Sequence, residues 1–273
     1  DDFWSVAGLR AAAAMLADDP DAARRAGAAA DRLAAAVDRS LDSCRERLGR
    51  PAMPAAPYRR LDAGAIGSVA AGYPLQLFAG DDERLRDCVN YLLDECFVDG
   101  AFFQDMIHSG QNAYLTLQVA QVLLRAGDPR YLELMDAVAR LASPTGQWPE
   151  AIHPQTGGGC MGDGHHVWAA AEWVLMLRNC FLREEGDTLV LASGIPERWL
   201  AAGEPLSFGP APTSFGRVTV RVLPEAGGRF RVRWEAHWHD QAPALRVALP
   251  GYRSCEQDEY GALLEPAPGA SAR

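Results

Sequence analysis

Helical segments of two kinds alternate along residues 1 to about 184, and this alternation restricts the fold strongly. Four segments are apolar or small nearly all round: 3–17, 63–78, 109–126 and 165–182. Three segments between them have one charged and one apolar face: 20–48, 81–98 and 130–142. A helix without a solvated face must be enclosed by others. The pattern therefore predicts repeated helical hairpins, arranged either as a toroid with inner and outer helices or as a superhelical array.

Residues after about 186 alternate with the period of β-strands instead. Phe230, Val232 and Trp234 share one face of a predicted strand, and Arg231 and Arg233 share the other. The turn 226–228 is expected to join this strand to the one before it. We therefore predict a mainly α protein: a helical-hairpin domain over residues 1–185 and a small antiparallel β domain with an irregular tail over 186–273.

Composition excludes several classes of partner. The chain has 273 residues, a formal charge of −10 and a pI near 5.1, which argues against nucleic acid and anionic membranes as partners. No run of 18 apolar residues exists, so we expect no membrane span. The six cysteines form no CxxC pair and are expected to be reduced thiols. The compartment stays open, with the cytoplasm favoured.

Aspartates precede the apolar helices, at Asp2, Asp62, Asp105 and Asp163. Aromatic and polar residues accompany them in the same loops. In a toroid the inner helices are parallel, so these loops would meet at one mouth and line one cavity. Aromatic faces and hydrogen-bonding side chains suit sugar rings. Helix capping is an equally good interpretation of Asp62 and Asp105 taken one by one.

The loop over residues 146–159 carries the most specific pattern. It contains Glu150 between Pro149 and Pro154 and ends in three glycines. Prolines stiffen a chain, and a loop this long in a compact domain is usually functional. A catalytic carboxylate at Glu150 is therefore favoured over a surface glutamate.

The run WPEAIHPQTGGGCMGDGHHVWAAAEWVLMLRN, from Trp148, and the later LVLASGIPERWL resemble the C-terminal part of an (α/α)6 six-hairpin glycosidase. The chain is similar to the clan of trehalases, glucoamylases and processing α-glucosidases. Several relatives carry Glu-x-x-(Asn or His)-Pro-x-Thr-Gly before the last inner helix. Here that pattern begins at Glu150 and continues through His153 to Gly157. The stretch Asp1 to Trp4 resembles a loop that enters an earlier inner helix.

This resemblance implies an inverting glycosidase that acts on an α-glucoside or a related oligosaccharide. It implies that Glu150 is the general base, and Asp2, then Asp1, are the expected general acids. No cofactor and no metal are implied. Residues expected to contact the sugar are Trp4, Arg60, Asp62, Asp105, His108, Gln111, Trp148, His153, His165 and His166.

Twelve helices close such a barrel, and seven are readable in this sequence. We therefore expect a partial barrel whose remaining helices precede Asp1. A complementary N-terminal half or a second copy of the chain is then an expected partner, and the isolated chain could be inactive.

Three other interpretations stay open. A metal site could use His153, Cys160, Asp163, His165 and His166, although their spacing fits no standard zinc motif. An isoprenoid enzyme is disfavoured, because the run from Asp81 lacks the third aspartate of a DDxxD motif. The last interpretation is a non-catalytic sugar-binding or helical-repeat scaffold.

Overall fold

The computed structural model describes residues 1–105, 110–162 and 164–268. The chain divides into two compact units, Asp1–Glu172 and Trp173–Arg273. Within the described ranges, no helix combines the length and apolarity that crossing a membrane requires.

The first unit is built from paired helices. Their bounds are α1 (Asp2–Met15), α2 (Pro20–Leu48), a 3₁₀ helix (Ala63–Ala71), α3 (Glu83–Glu95), α4 (Ala113–Ala126) and α5 (Tyr131–Leu141). α1 packs on α2, the 3₁₀ helix on α3, and α4 on α5. Local signals fix the ends: Asp19 caps α2 by accepting from Ala22 N at 3.0 Å, and Gly49 ends it in the left-handed conformation.

A five-stranded sheet of very short strands joins the loops between these helices. The strands are β1 (Phe97–Val98), β2 (Ala101–Gln104), β3 (Gly110–Gln111), β4 (Ala151–Ile152) and β5 (Gly159–Met161), in that order across the sheet. Helix α6 (Val167–Phe181) begins in the first unit and ends in the second.

The second unit is mainly β-structure. Its strands are β6 (Leu182–Glu185), β7 (Thr188–Leu191), β8 (Leu206–Thr213), β9 (Gly216–Glu225), β10 (Arg229–Trp238), β11 (Ala244–Val247), β12 (Tyr252–Gln257) and β13 (Gly261–Pro266), with α7 at Glu197–Leu200. Five strands form an antiparallel sheet in the order β12-β13-β10-β9-β8. The others form a three-stranded sheet, in which β11 runs parallel to β7.

The prediction of a mainly α toroid with a small β domain is wrong. Among the described residues, helices hold 41% and strands 25%, in three sheets, so the fold is mixed α/β. Two local causes explain the difference. The segment 63–78 contains Gly64, Gly67 and Gly72, which disfavour an α-helix, and only a 3₁₀ helix forms there. The inter-helix segments interpreted as loops pair with each other as strands.

Candidate functional site

Three hydrogen bonds hold the loop that carries Glu150. The Asn112 amide, at the N-terminus of α4, donates to the Glu150 carbonyl oxygen at 2.9 Å. The Trp148 indole donates to the Val138 carbonyl oxygen of α5 at 2.9 Å. The His166 backbone N–H, directly before α6, donates to the Trp148 carbonyl oxygen at 2.8 Å. Glu150 is therefore tied directly to the N-terminal end of α4, and its loop is tied through Trp148 to the N-terminal end of α6.

The five-stranded sheet brings the predicted loops together. Phe103 in β2 pairs with Gln111 in β3, and Gln111 pairs with Ile152 in β4. Gly110 allows the close approach of β3 to β4, because a Cβ there would lie 2.9 Å from the Cβ of Ala151. Adjacent strands lie about 4.8 Å apart, so β2 and β4 run about 10 Å from each other. The loop that ends at Asp105 and the loop of Glu150 thus belong to one sheet.

The Glu150 side chain is half-buried and has no arginine partner among the described residues. Other partly buried carboxylates of this unit are neutralised: Asp62 accepts from Arg59 at 2.9 Å, and Asp128 pairs with Arg130 at 2.6 Å. An unpaired carboxylate in such a position costs stability. The Glu150 charge also acts on its surroundings: burial raises the pKa of Tyr114, and the negative charge of Glu150 raises it further.

Aromatic rings form a cluster beside this carboxylate. The Tyr114 ring centroid lies 4.8 Å from that of His166 and 4.6 Å from that of Trp168. Tyr114 is buried, whereas 49% of Trp168 is exposed. We call Tyr114, His166 and Trp168 the aromatic cluster.

Glu172, one turn after Trp168 on α6, lies beneath this cluster. It is 5% exposed, and its Oε1 accepts from the Trp168 indole N–H at 3.2 Å. Burial raises the pKa of Glu172, and polar contacts from Trp168, Gln118 and Tyr73 only partly offset that rise. A neutral carboxyl is therefore favoured here more than in water.

Several buried polar atoms in this neighbourhood have no hydrogen-bond partner among the residues described. They are Asn112 Oδ1, His166 Nδ1 and Glu172 Oε2. Each such atom is costly, and native proteins keep few of them. These polar atoms belong to the aromatic cluster or to residues that contact it or Glu150, so they are available to a bound polar ligand.

Asp62, Asp105 and Arg60 line one cavity of about 290 Å³. Asp62 also caps the 3₁₀ helix by accepting from Gly64 N at 3.0 Å. Burial alone would raise the pKa of Asp62, but the hydrogen bonds from Arg59 and Gly64 outweigh it and hold the pKa below its usual value. Asp62 is therefore a structural cap as well as a wall of this cavity.

Asp1 and Asp2 lie elsewhere in the unit. Both are exposed at the start of α1 and line a separate cavity of about 300 Å³, together with Ser68. Trp4 is 52% exposed on α1. Nothing in the described contacts joins these residues to Glu150.

Some residues predicted to contact the sugar already use their polar atoms in hydrogen bonds within the protein. The buried Gln111 amide donates to the Val98 carbonyl oxygen at 2.7 Å, and Trp148 is buried with its indole N–H bonded to Val138. His153 Nδ1 accepts from the backbone N–H of Gln155 at 3.2 Å within its own turn. His165 is exposed, and His108 lies outside the described residues.

The metal-site interpretation gains no support within the ranges that the structure describes. No group of three or more His, Cys, Asp or Glu side chains there could hold a metal ion. Asp163, one of its candidate ligands, lies outside those ranges.

Sequence reasoning did not select Tyr114 or Asn112 as site residues. Asn112 directly follows Gln111, which was predicted as a sugar contact, and both missed residues lie at the start of α4, so their position was a usable signal. The contact with Glu150 was not readable, because it joins residues 38 positions apart.

Comparisons with known proteins give limited similarity. No protein-family model matches the chain, and no curated protein matches it. Among solved structures, "Glycosidase F290Y" has 21% identity and a TM-score of 0.46, covering 63% of this chain and 48% of its own. "Glycosidase Wild Type" has 21% identity and a TM-score of 0.44, covering 63% of this chain and 51% of its own. The chain thus spans about half the length of the solved structures it matches. At TM-scores below 0.5, this similarity assigns neither a family nor an activity.

Proposed function

We propose that the chain hydrolyses a glycosidic bond, with the Glu150 carboxylate as the general base that activates water. One observation carries the proposal: Glu150 is half-buried beside the aromatic cluster and lacks an arginine partner among the described residues, whereas Asp62 and Asp128 of the same unit have one. A carboxylate kept without a counter-charge remains available to take a proton.

The chemistry proposed is inversion. Glu150 takes a proton from water while the water oxygen attacks the anomeric carbon and the bond to the leaving oxygen breaks. A second carboxyl group protonates that oxygen, and inverting enzymes hold the two groups roughly 6.5–9.5 Å apart. Asp2, then Asp1, are the proposed acids. They line a cavity for which no contact with Glu150 is described, so each is tested by its own substitution.

The proposed substrate is an α-glucoside or a related oligosaccharide, as the resemblance of the segment from Trp148 implies. Aromatic faces cover the apolar side of a sugar ring, and nearby carboxylates accept hydrogen bonds from its hydroxyl groups. No cofactor is needed, because acid–base chemistry suffices.

The test is hydrolysis of a panel of 4-nitrophenyl α- and β-glycosides and of maltotriose by the parent chain and by Glu150→Gln. We expect hydrolysis by the parent and a loss of about 10²–10⁴-fold in kcat for the variant, the usual contribution of a general base. Glu133→Gln, an exposed glutamate on α5, is the matched control and should keep the parent rate. The anomeric configuration of the first product, followed by NMR, tests inversion.

Hydrolysis at the parent rate by Glu150→Gln would overturn the role of Glu150. Asp2→Asn and Asp1→Asn separate the two proposed acids, because only loss of the true acid should be relieved by a substrate with a good leaving group. If neither substitution lowers kcat for maltotriose, whose leaving group needs protonation, both acid assignments fail.

A non-catalytic scaffold that needs a partner chain is the second candidate. It is favoured by apolar side chains exposed on helix surfaces: Met15 of α1 is 85% exposed and Val167 of α6 is 80% exposed. Exposed apolar faces often mark interaction surfaces. Sizing by light scattering separates the candidates: a complementary half or a second copy is the expected partner of a scaffold, and an active monomer contradicts this reading.

A further inference from the structure

We propose that Trp168 is the stacking platform for one sugar ring of the substrate and that Glu172 is the positioning residue that orients its indole. This inference rests on the proposed function, since it assigns the sugar-binding surface of the same site. Trp168 was not among the residues that the sequence suggested as sugar contacts.

The exposure of Trp168 fits a platform. About half of its surface is open, while the buried Tyr114 ring backs it at 4.6 Å with a tilt of 35°. The His166 ring lies 4.8 Å from Tyr114 and 6.4 Å from Trp168, and the negative charge of Glu150 acts on Tyr114. The open indole and the proposed base therefore both act on the same residue, Tyr114. A half-exposed indole held against a second ring offers a large, rigid apolar face at small entropic cost.

The indole N–H of Trp168 is used for orientation and not for solvation. It donates to Glu172 Oε1 at 3.2 Å, and this pair follows the i, i+4 spacing of α6. The Glu172 carboxyl group also has polar contacts with the buried side chains of Tyr73 and Gln118, which restrict its position. Burying this acid costs stability, and an aliphatic residue would pack there without that cost. A buried acid at position 172 is explained if sugar binding requires the Trp168 rotamer that its hydrogen bond holds.

The ligand chemistry follows from the surface. An indole face beside a carboxylate suits a neutral ring with axial C–H groups and peripheral hydroxyls, and it disfavours an anionic sugar. A neutral gluco-oligosaccharide is the class we assign to the platform.

The experiment measures maltotriose binding by calorimetry in the Glu150→Gln background, so that no turnover interferes. We expect Trp168→Ala to weaken binding about tenfold, as the loss of one stacked ring predicts. Tyr260→Ala, which removes a 66%-exposed ring in the second unit, is the matched control and should leave the Kd unchanged. Thermal unfolding confirms that each variant is folded.

The positioning role is tested by a double-mutant cycle. Glu172→Leu should weaken binding about fivefold, the worth of one hydrogen bond, and Glu172→Gln should restore it because the amide oxygen still accepts from the indole. In a Trp168→Phe background, which lacks the N–H, Glu172→Leu should have no further effect on the Kd.

Equal maltotriose binding by Trp168→Ala and its parent, or no binding by the parent, overturns the platform. If Glu172→Leu raises the Kd equally with Trp168 and with Trp168→Phe, the positioning role is overturned. A Trp168→Ala variant that changes only the oligomeric state assigns the exposed indole to an interface instead. Failure of the proposed function can be distinguished from failure of the platform. The first is measured as hydrolysis by the parent and by Glu150→Gln, and the second as maltotriose binding.

Discussion

Two carboxylates in the two sheets of the second unit are paired with arginine, whereas, within the part of the chain that the structure describes, the two at the candidate site of the first unit are not. In the second unit, Glu184 forms a two-pronged ion pair with Arg178 at 2.8 Å, and Glu225 pairs with Arg231 at 2.9 Å. At the candidate site, Glu150 and Glu172 have no arginine partner among the described residues. The two carboxylates named in the second unit are neutralised by arginine, and in the described ranges the two at the candidate site are not.

The two regions also differ in how far apart in the chain their paired strands lie. β9 and β10 form one ladder of ten residue pairs closed by a local turn, so its register depends on neighbours in sequence. β3 and β4 pair through Gln111 and Ile152, which are far apart in the chain. A site built from short, distant pieces depends on a few contacts, and single substitutions there should change activity before they change stability.

The largest expected effect is on catalysis. Glu150→Gln should lower kcat by about 10²–10⁴-fold, whereas Glu225→Gln in the sheet should leave kcat unchanged. Steady-state hydrolysis of the nitrophenyl glycoside panel measures both. Similar losses in the two variants would remove the distinction between the regions.

The next effect is on the stability of the five-stranded sheet of the second unit, which contains β9 and β10. Gly216→Ala places a Cβ against the His237 carbonyl oxygen and 2.8 Å from Trp238 Cα, and we expect a loss of about 3 kcal/mol in the free energy of unfolding. Gly227→Ala, where the added Cβ meets nothing, should cost only about 1 kcal/mol through its positive φ. Urea unfolding measures both, and equal losses would contradict the close packing at Gly216.

The ion pair of the second unit should give a pH-dependent effect. Burial alone would raise the pKa of Glu184, but Arg178 outweighs it and holds the pKa below its usual value. The pair therefore stabilises the fold above the unfolded pKa and loses this contribution as pH falls through the folded pKa. Glu184→Gln should cost about 2 kcal/mol at neutral pH and less in acid. Chemical unfolding across pH checks this, and a cost that grows in acid has the wrong sign.

A glycine beside the proposed base should affect function more than stability. Gly162 has φ +75°, and a Cβ there would lie 3.2 Å from Glu150 Cβ, so Gly162→Ala must displace that residue. We expect a fall of about tenfold in kcat, since small misplacements of catalytic groups are costly. Gly146→Ala, with a similar φ and open space around the Cβ, is the control. An equal kcat in the two variants would show that the position of Glu150 is not critical.

The smallest expected effect has the opposite pH dependence to that of Glu184. Because burial raises the pKa of Glu172, its ionisation opposes folding as pH rises above the unfolded value. Glu172→Gln, which cannot ionise, should therefore raise Tm slightly at neutral pH and should lose that advantage in acid. Thermal unfolding at both pH values measures the difference, and a gain confined to acid would contradict the raised pKa.

Local patterns in the sequence determined the elements whose partners are near in the chain. The helix predicted over 130–142 coincides with α5 at Tyr131–Leu141, and the turn over 226–228 joins β9 to β10. Both follow from periods of 3.6 and 2 residues, which depend on burial of one face of a single element. The stiffness predicted for the segment around Glu150 stays a prediction, and part of that segment forms β4.

Only the tertiary structure decided the elements and contacts that need distant partners. The strands β1 to β5 are too short to have a readable period, and they exist because segments far apart in the chain pair with each other. The pairing of β11 with β7 is of the same kind. The unpaired state of Glu150 and the fixation of the Glu150 loop by Asn112 depend on packing between α4, α6 and this sheet, whereas the contact of Trp168 with Glu172 is local to α6. Sequence spacing carries no record of which side chains meet across such contacts, because they are set by the folding of the whole unit.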